Sequence, residues 1–75
     1  MNHSLEIFVK EKRKQANLTQ AELAAKAGVG LRFIREMEQG KPTLRMDKVN
    51  RVLQLFGHEL MPIPFDRKKY LDEAS

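Results

Sequence analysis

The run QAELAAKAGVGLRFIREM, from Gln20 to Met37, sets the tightest limit on what this chain can fold into. By periodicity it is two short helices joined by a turn centred on Gly28. Helices meeting across so tight a join need a small contact residue, and Ala24 stands where it is needed. The first helix must stop abruptly in a left-handed residue, a conformation glycine adopts without a Cβ penalty. Val29, Ile34 and Met37 then fall at inward-facing positions, so the second helix buries one edge and leaves the other bare. A bare helix edge beside such a turn has the shape that enters a DNA major groove, and DNA binding is the function this segment predicts.

Bulk properties agree with that expectation. Seventy-five residues make a single domain. A chain this short buries only about 60 % of its unfolded surface, so association of two copies is a natural source of further burial. The formal net charge is +4 and the pI near 9.7, a balance that suits a polyanionic partner. With no cysteine and two histidines far apart, disulfides and thiolate sites are excluded and no metal or cofactor is expected. No apolar run approaches the roughly 20 residues of a membrane span. The start, MNHSLEIFVKEKRK, carries acidic residues and lacks the apolar core of a signal peptide, so a soluble, cytoplasmic chain is expected. The sequence offers no nucleophile–base constellation, phosphate-cradling glycine loop or metal-ligand cluster, and an enzyme is not expected.

Along the chain, Ser4 can cap a first helix reaching about Gln15, with Leu5, Phe8, Val9 and Ala16 on one face. Asn17-Leu18 connects it to a second helix with an unusually complete start. Thr19 and Glu22 have capping-box spacing, and Leu18 and Leu23 the spacing of a hydrophobic staple. The third helix is predicted from about Gly30 to Gln39, ending at Gly40, because Pro42 disfavours helical geometry at Lys41. Thr43 is expected to cap a fourth helix with Val49, Val52, Leu53 and Phe56 on its buried side, stopped at Gly57. Residues 1–57 thus form the helical domain.

The segment 58–65, HELMPIPF, breaks the helical period. In a strand, Pro62 and Pro64 would spoil one edge only, while Glu59, Met61 and Ile63 keep their N–H donors on the other. With no second strand visible, this segment (Glu59, Leu60, Met61 and Ile63) is expected either to pair with its copy in a dimer or to pack as an extended arm on its own domain. Residues 66–75 read as a polar tail, and the Arg67-Lys68-Lys69 run as part of it.

LTQAELAAKAGV followed by IREMEQGK resembles the Cro/C1-type (Xre) helix-turn-helix family of phage and bacterial repressors, over about Leu5 to Phe56. QGKPTLRMDKVNRVLQLFGHEL with its strand-like tail resembles the HipB-like antitoxin branch. What the resemblance implies is an all-α, four- to five-helix repressor domain whose short C-terminal β-strand pairs across a homodimer. It also implies autorepression of an operon encoding a kinase-like toxin partner. The alternative is a free-standing Xre regulator with no toxin. The family further implies an ion pair between an arginine late in the first helix and a glutamate ending the third. Arg13 and Glu38 occupy those positions and are expected to be structural, not DNA ligands.

With Ile34 and Met37 inward, the opposite side of the third helix carries Leu31, Arg32, Arg35, Glu36 and Gln39. A guanidinium offers paired donors that match guanine O6 and N7, so Arg32 and then Arg35 are the expected base readers. Leu31 or Phe33 can touch a thymine methyl or simply pack at the rim. Glu36, four residues after Arg32, is expected to pair with it. Gln20, at the start of the second helix, is the expected phosphate anchor, and the family resemblance assigns it the same role. Lys41 and Arg45 flank the groove as further backbone contacts, with Gln39 and Asn17 behind them. Ordinary solvated charge is the alternative for Lys41 and Arg45. The expected target is a palindromic double-stranded operator bound by a homodimer.

Overall fold

The computed structural model describes residues 4–65, and the polar tail expected over 66–75 lies outside the described residues. Four helices follow in order: α1 Leu5–Gln15, α2 Gln20–Ala27, α3 Leu31–Glu38 and α4 Met46–Leu55. Among the described residues there is no strand, so the domain is all-α.

Local signals build three of the four helices within a residue of their predicted limits. Ser4 accepts from the Ile7 N–H at 3.5 Å and opens α1. At α2 the capping box closes in both directions: Glu22 N–H to Thr19 Oγ1 at 3.0 Å, and Thr19 N–H to Glu22 Oε1 at 2.8 Å. Those backbone and hydroxyl bonds from Thr19 hold the Glu22 carboxyl below its ordinary range.

All four helices stop by the same backbone device. The left-handed residues are Asn17, Gly28, Gly40 and Gly57. After each, the next N–H reaches back to the carbonyl five residues earlier, as in Val29 to Ala24 at 3.0 Å and His58 to Leu53 at 2.9 Å. Asn17 was expected only as a connector and a DNA-backbone candidate. Its φ of 58° shows that its first task is to end α1, which asparagine tolerates better than other non-glycine residues.

Two expectations are corrected. Thr43 does not cap α4. The N-cap is Arg45, in extended geometry and with no side-chain capping bond. Leu44, between them, packs against the core, and helical geometry begins only after the extended Arg45. Ala16 is exposed and does not share the packed face of α1, because it is the C-cap where the chain turns away.

The core comprises Val9 from α1, Leu23 and Ala24 from α2, Ile34 and Met37 from α3, and Val49, Val52 and Leu53 from α4. Burying each larger side chain contributes about 1.5–3 kcal/mol before entropy is counted. Leu23 belongs to this cluster and Leu18 packs against it, and Val29 is half-buried just past the turn. The α3 helix packs on both α1 and α2, and α4 packs on α2, so α3 is held from behind and along one side.

Residues 58–65 carry neither helix nor strand in the single chain. Their root is anchored: the His58 ring meets Phe8 edge-on with centroids 4.8 Å apart, and the Leu60 N–H donates to Asn50 Oδ1 at 2.7 Å. Beyond it, Met61 and Ile63 are 72 % and 80 % exposed.

Candidate nucleic-acid interface

The exposed edge of α3 follows from the buried one. Ile34 and Met37 are in the core, Glu38 is the one buried charged residue among those described, and Arg32 and Arg35 emerge on the solvent side. The Arg32 side chain is 91 % exposed. Arg35 is exposed, and among the described residues no hydrogen bond or ion pair holds its side chain. Three positions apart, the two guanidiniums are neighbours on one helix face.

The expected pairing of Arg32 with Glu36 is present, Nε to Oε2 at 3.5 Å. The same carboxylate oxygen lies 3.2 Å from Lys41 Nζ. Lys41 is therefore beside the recognition helix but already ion-paired. Arg45 forms two bonds to Asp47, at 3.1 and 2.7 Å, and these hold the Asp47 carboxyl below its usual range. Gln39 is exposed at the C-cap of α3.

Leu31 and Phe33 are only partly exposed and pack against the core, with Lys48 Nζ 5.9 Å from the Phe33 ring centroid. Of the two roles open to Phe33, packing at the rim is the one its surroundings show.

Beneath this face lies the Arg13–Glu38 pair. Arg13 Nε donates to Glu38 Oε2 at 2.7 Å and Nη2 to Oε1 at 3.0 Å, while Nη1 reaches the Leu18 carbonyl at 2.9 Å. One guanidinium thus ties α1, the α1–α2 connector and the end of α3. Burial alone would push the Glu38 carboxyl up, but hydrogen bonds from Arg13 and Gln20, with the charge of Arg13, hold it below its ordinary value. The same hydrogen bond raises the Arg13 pKa.

Gln20 plays a part that its position at a helix start did not reveal. Its Nε2 donates to Glu38 Oε1 at 3.1 Å, so in the free chain the side chain is drawn inward as a third support of the buried carboxylate. Its backbone still lies in the first turn of α2, where free N–H groups favour phosphate.

Sequence reasoning also missed Arg51. From the exposed side of α4 its Nη1 donates to the Gly28 carbonyl at 3.3 Å, bracing the turn between α2 and α3. Twenty-three residues separate the pair, and no periodicity links them. Lys48 likewise carried no local signal.

Residues 9–60 match the family model of HTH_3, helix-turn-helix. The chain is also 52 % identical over 58 residues to an uncharacterized HTH-type transcriptional regulator, y4mF, of Sinorhizobium fredii (strain NBRC 101917 / NGR234). That alignment covers 76 % of this chain and 76 % of the relative.

Proposed function

This chain belongs to the helix-turn-helix (HTH_3) family of DNA-binding regulators, and from that premise we propose that it is a sequence-specific repressor acting as a homodimer on a palindromic operator. The observation that carries the reading is the pair of exposed arginines, Arg32 and Arg35, on the edge of α3 opposite buried Ile34 and Met37. Each offers the paired donors that guanine accepts in the major groove, and each is free of the packing that holds the helix in place. Leu31 adds an apolar contact at the start of the same helix. The α2 N-terminus at Gln20, with Lys41, Arg45, Gln39 and Asn17, supplies the backbone contacts that set register without reading sequence.

Dimerisation is assigned to residues 58–65. In an extended segment Leu60, Pro62 and Pro64 share one edge. Leu60 donates its N–H to Asn50, and in a strand the Glu59, Met61 and Ile63 donors would lie on the opposite edge, open to a partner. The same segment of a second copy would complete the ladder, placing two recognition helices on half-sites about 34 Å apart.

The resemblance of QGKPTLRMDKVNRVLQLFGHEL to the HipB-like branch supports a second proposed role, antidote to a kinase-like toxin whose operon this chain represses. A kinase-like reading frame adjacent to its gene favours that role, and its absence favours a free-standing regulator.

The deciding experiment titrates a duplex selected from a random DNA pool, and a scrambled duplex of the same length, at several salt concentrations. A repressor binds the selected duplex far more tightly at every salt concentration. Equal affinities with equal salt slopes would reduce the protein to a non-specific binder.

A further inference from the structure

We propose that Glu36 is an affinity-limiting residue of the reading face, an internal counter-ion that Arg32 must leave before it engages a base; this rests on the DNA-binding reading above. Glu36 Oε2 alone serves both cations, at 3.5 Å from Arg32 and 3.2 Å from Lys41. Arg32 comes from the first turn of α3, and Lys41 from just beyond its end. The arrangement is held by the backbone as well. The Lys41 N–H donates to the Glu36 carbonyl at 3.0 Å, so the left-handed stop at Gly40 also seats the ammonium over the carboxylate.

The recognition face therefore presents one open cation, Arg35, and two that are held. An acid on this face has a cost that an acid elsewhere lacks. When its partners leave it, the carboxylate faces the phosphates, whose charge density along the duplex repels it. Arg32 gives up Glu36 where a base returns two charge-assisted bonds, as guanine O6 and N7 do, and the released carboxylate offsets part of that gain. Over a base that cannot, leaving Glu36 brings repulsion and nothing in exchange, so the pair stays closed and Arg32 contributes little to non-specific binding. The pair is thus broken on the right sequence and kept on the wrong one, so Glu36 limits affinity for the operator more than for other DNA. Asp47 does not share this role. It holds Arg45, which stands before α4 and away from the base-reading helix.

The test compares the unmodified chain, Glu36→Gln, Glu36→Ala and Glu11→Gln on the selected and scrambled duplexes. Glu11 is an exposed acid of α1, so its variant carries the same change in net charge away from α3. Both Glu36 variants should bind the selected duplex about two- to fivefold more tightly, the scale of one exposed charge pair. The scrambled duplex should gain less, because its complex leaves the pair closed, so the ratio of the two affinities rises. Glu11→Gln should move both affinities together and leave the ratio unchanged. An unaltered or lower ratio in the Glu36 variants, or an equal rise in Glu11→Gln, overturns the role of Glu36 while the unmodified chain still prefers the selected duplex. If the unmodified chain shows no preference at all, the repressor reading itself fails, and this inference fails with it.

Discussion

Arg13 and Glu38 meet through two parallel hydrogen bonds of 2.7 and 3.0 Å, joining α1 to the last residue of the recognition helix. The Glu38 side chain is 2 % exposed and that of Arg13 14 %. Removing either partner strands the other in a poorly solvated site. Arg13→Ala should therefore destabilise the domain by about 3–5 kcal/mol. In a domain this small that lowers the melting temperature by well over about 10 °C, as circular dichroism can follow. A change of only a degree or two would mean that the pair adds little and that α3 is held by its apolar contacts alone.

The same pair predicts an acid limit to stability. The folded Glu38 carboxyl lies below the ordinary glutamate value of 4.5. A depressed carboxylate contributes its full stabilisation above its unfolded value and loses it as the pH falls through the folded one. Urea midpoints should hold near neutrality and fall below pH 4.5. Glu38→Gln should start less stable and lose less over that acid range, since one titrating group has been removed. Parallel curves for the two proteins would argue against this origin of the acid sensitivity.

Arg32 and Arg35 separate binding from folding. Neither supports the core, so Arg32→Ala and Arg35→Ala should shift stability by no more than about 0.5 kcal/mol. Each lost guanine contact should reduce discrimination between selected and scrambled duplexes by about 1–3 kcal/mol. The readout is a pair of fluorescence-anisotropy titrations beside one thermal melt. A large drop in melting temperature would show that the altered side chain faces inward.

Gly28 makes a prediction free of packing. Its φ is +72° and a Cβ built there would meet nothing within 4 Å. Gly28→Ala should cost about 1 kcal/mol from backbone conformation alone. Such a loss should appear in the urea midpoint with no change in the slope of the transition.

The 58–65 segment can be tested in the whole chain. Ile63 is 80 % exposed in the single chain. Ile63→Asp should thus leave monomer stability unchanged while shifting sedimentation toward the monomer. Truncation after Gly57 should weaken the dimer as well, although it also removes the His58 contact with Phe8. A dimer that survives both changes would move the interface elsewhere.

By itself the sequence determined the helical domain and the motif within it, because the signals are local. Thr19 with Glu22, and Gly28 between two short apolar runs, act over four or fewer bonds of the helical ladder, and their geometry is the same in any surroundings. The outward placement of Arg32 and Arg35 followed from helical periodicity once Ile34 and Met37 were assigned inward. Arg13 and Glu38 were reached only through family resemblance, since 25 residues separate them. Tertiary structure alone decided which polar groups from separate elements meet. Gln20 turns to Glu38 because packing α2 beside α3 leaves a buried carboxylate short of donors. Arg51 reaches Gly28 because α4 packs on α2. Lys41 shares Glu36 with Arg32 because a left-handed residue folds the chain back over the end of α3. Most helix starts and stops depend on neighbouring residues and were legible, the start of α4 at Arg45 excepted, whereas long side chains choose partners by proximity in space, which exists only once the helices have packed.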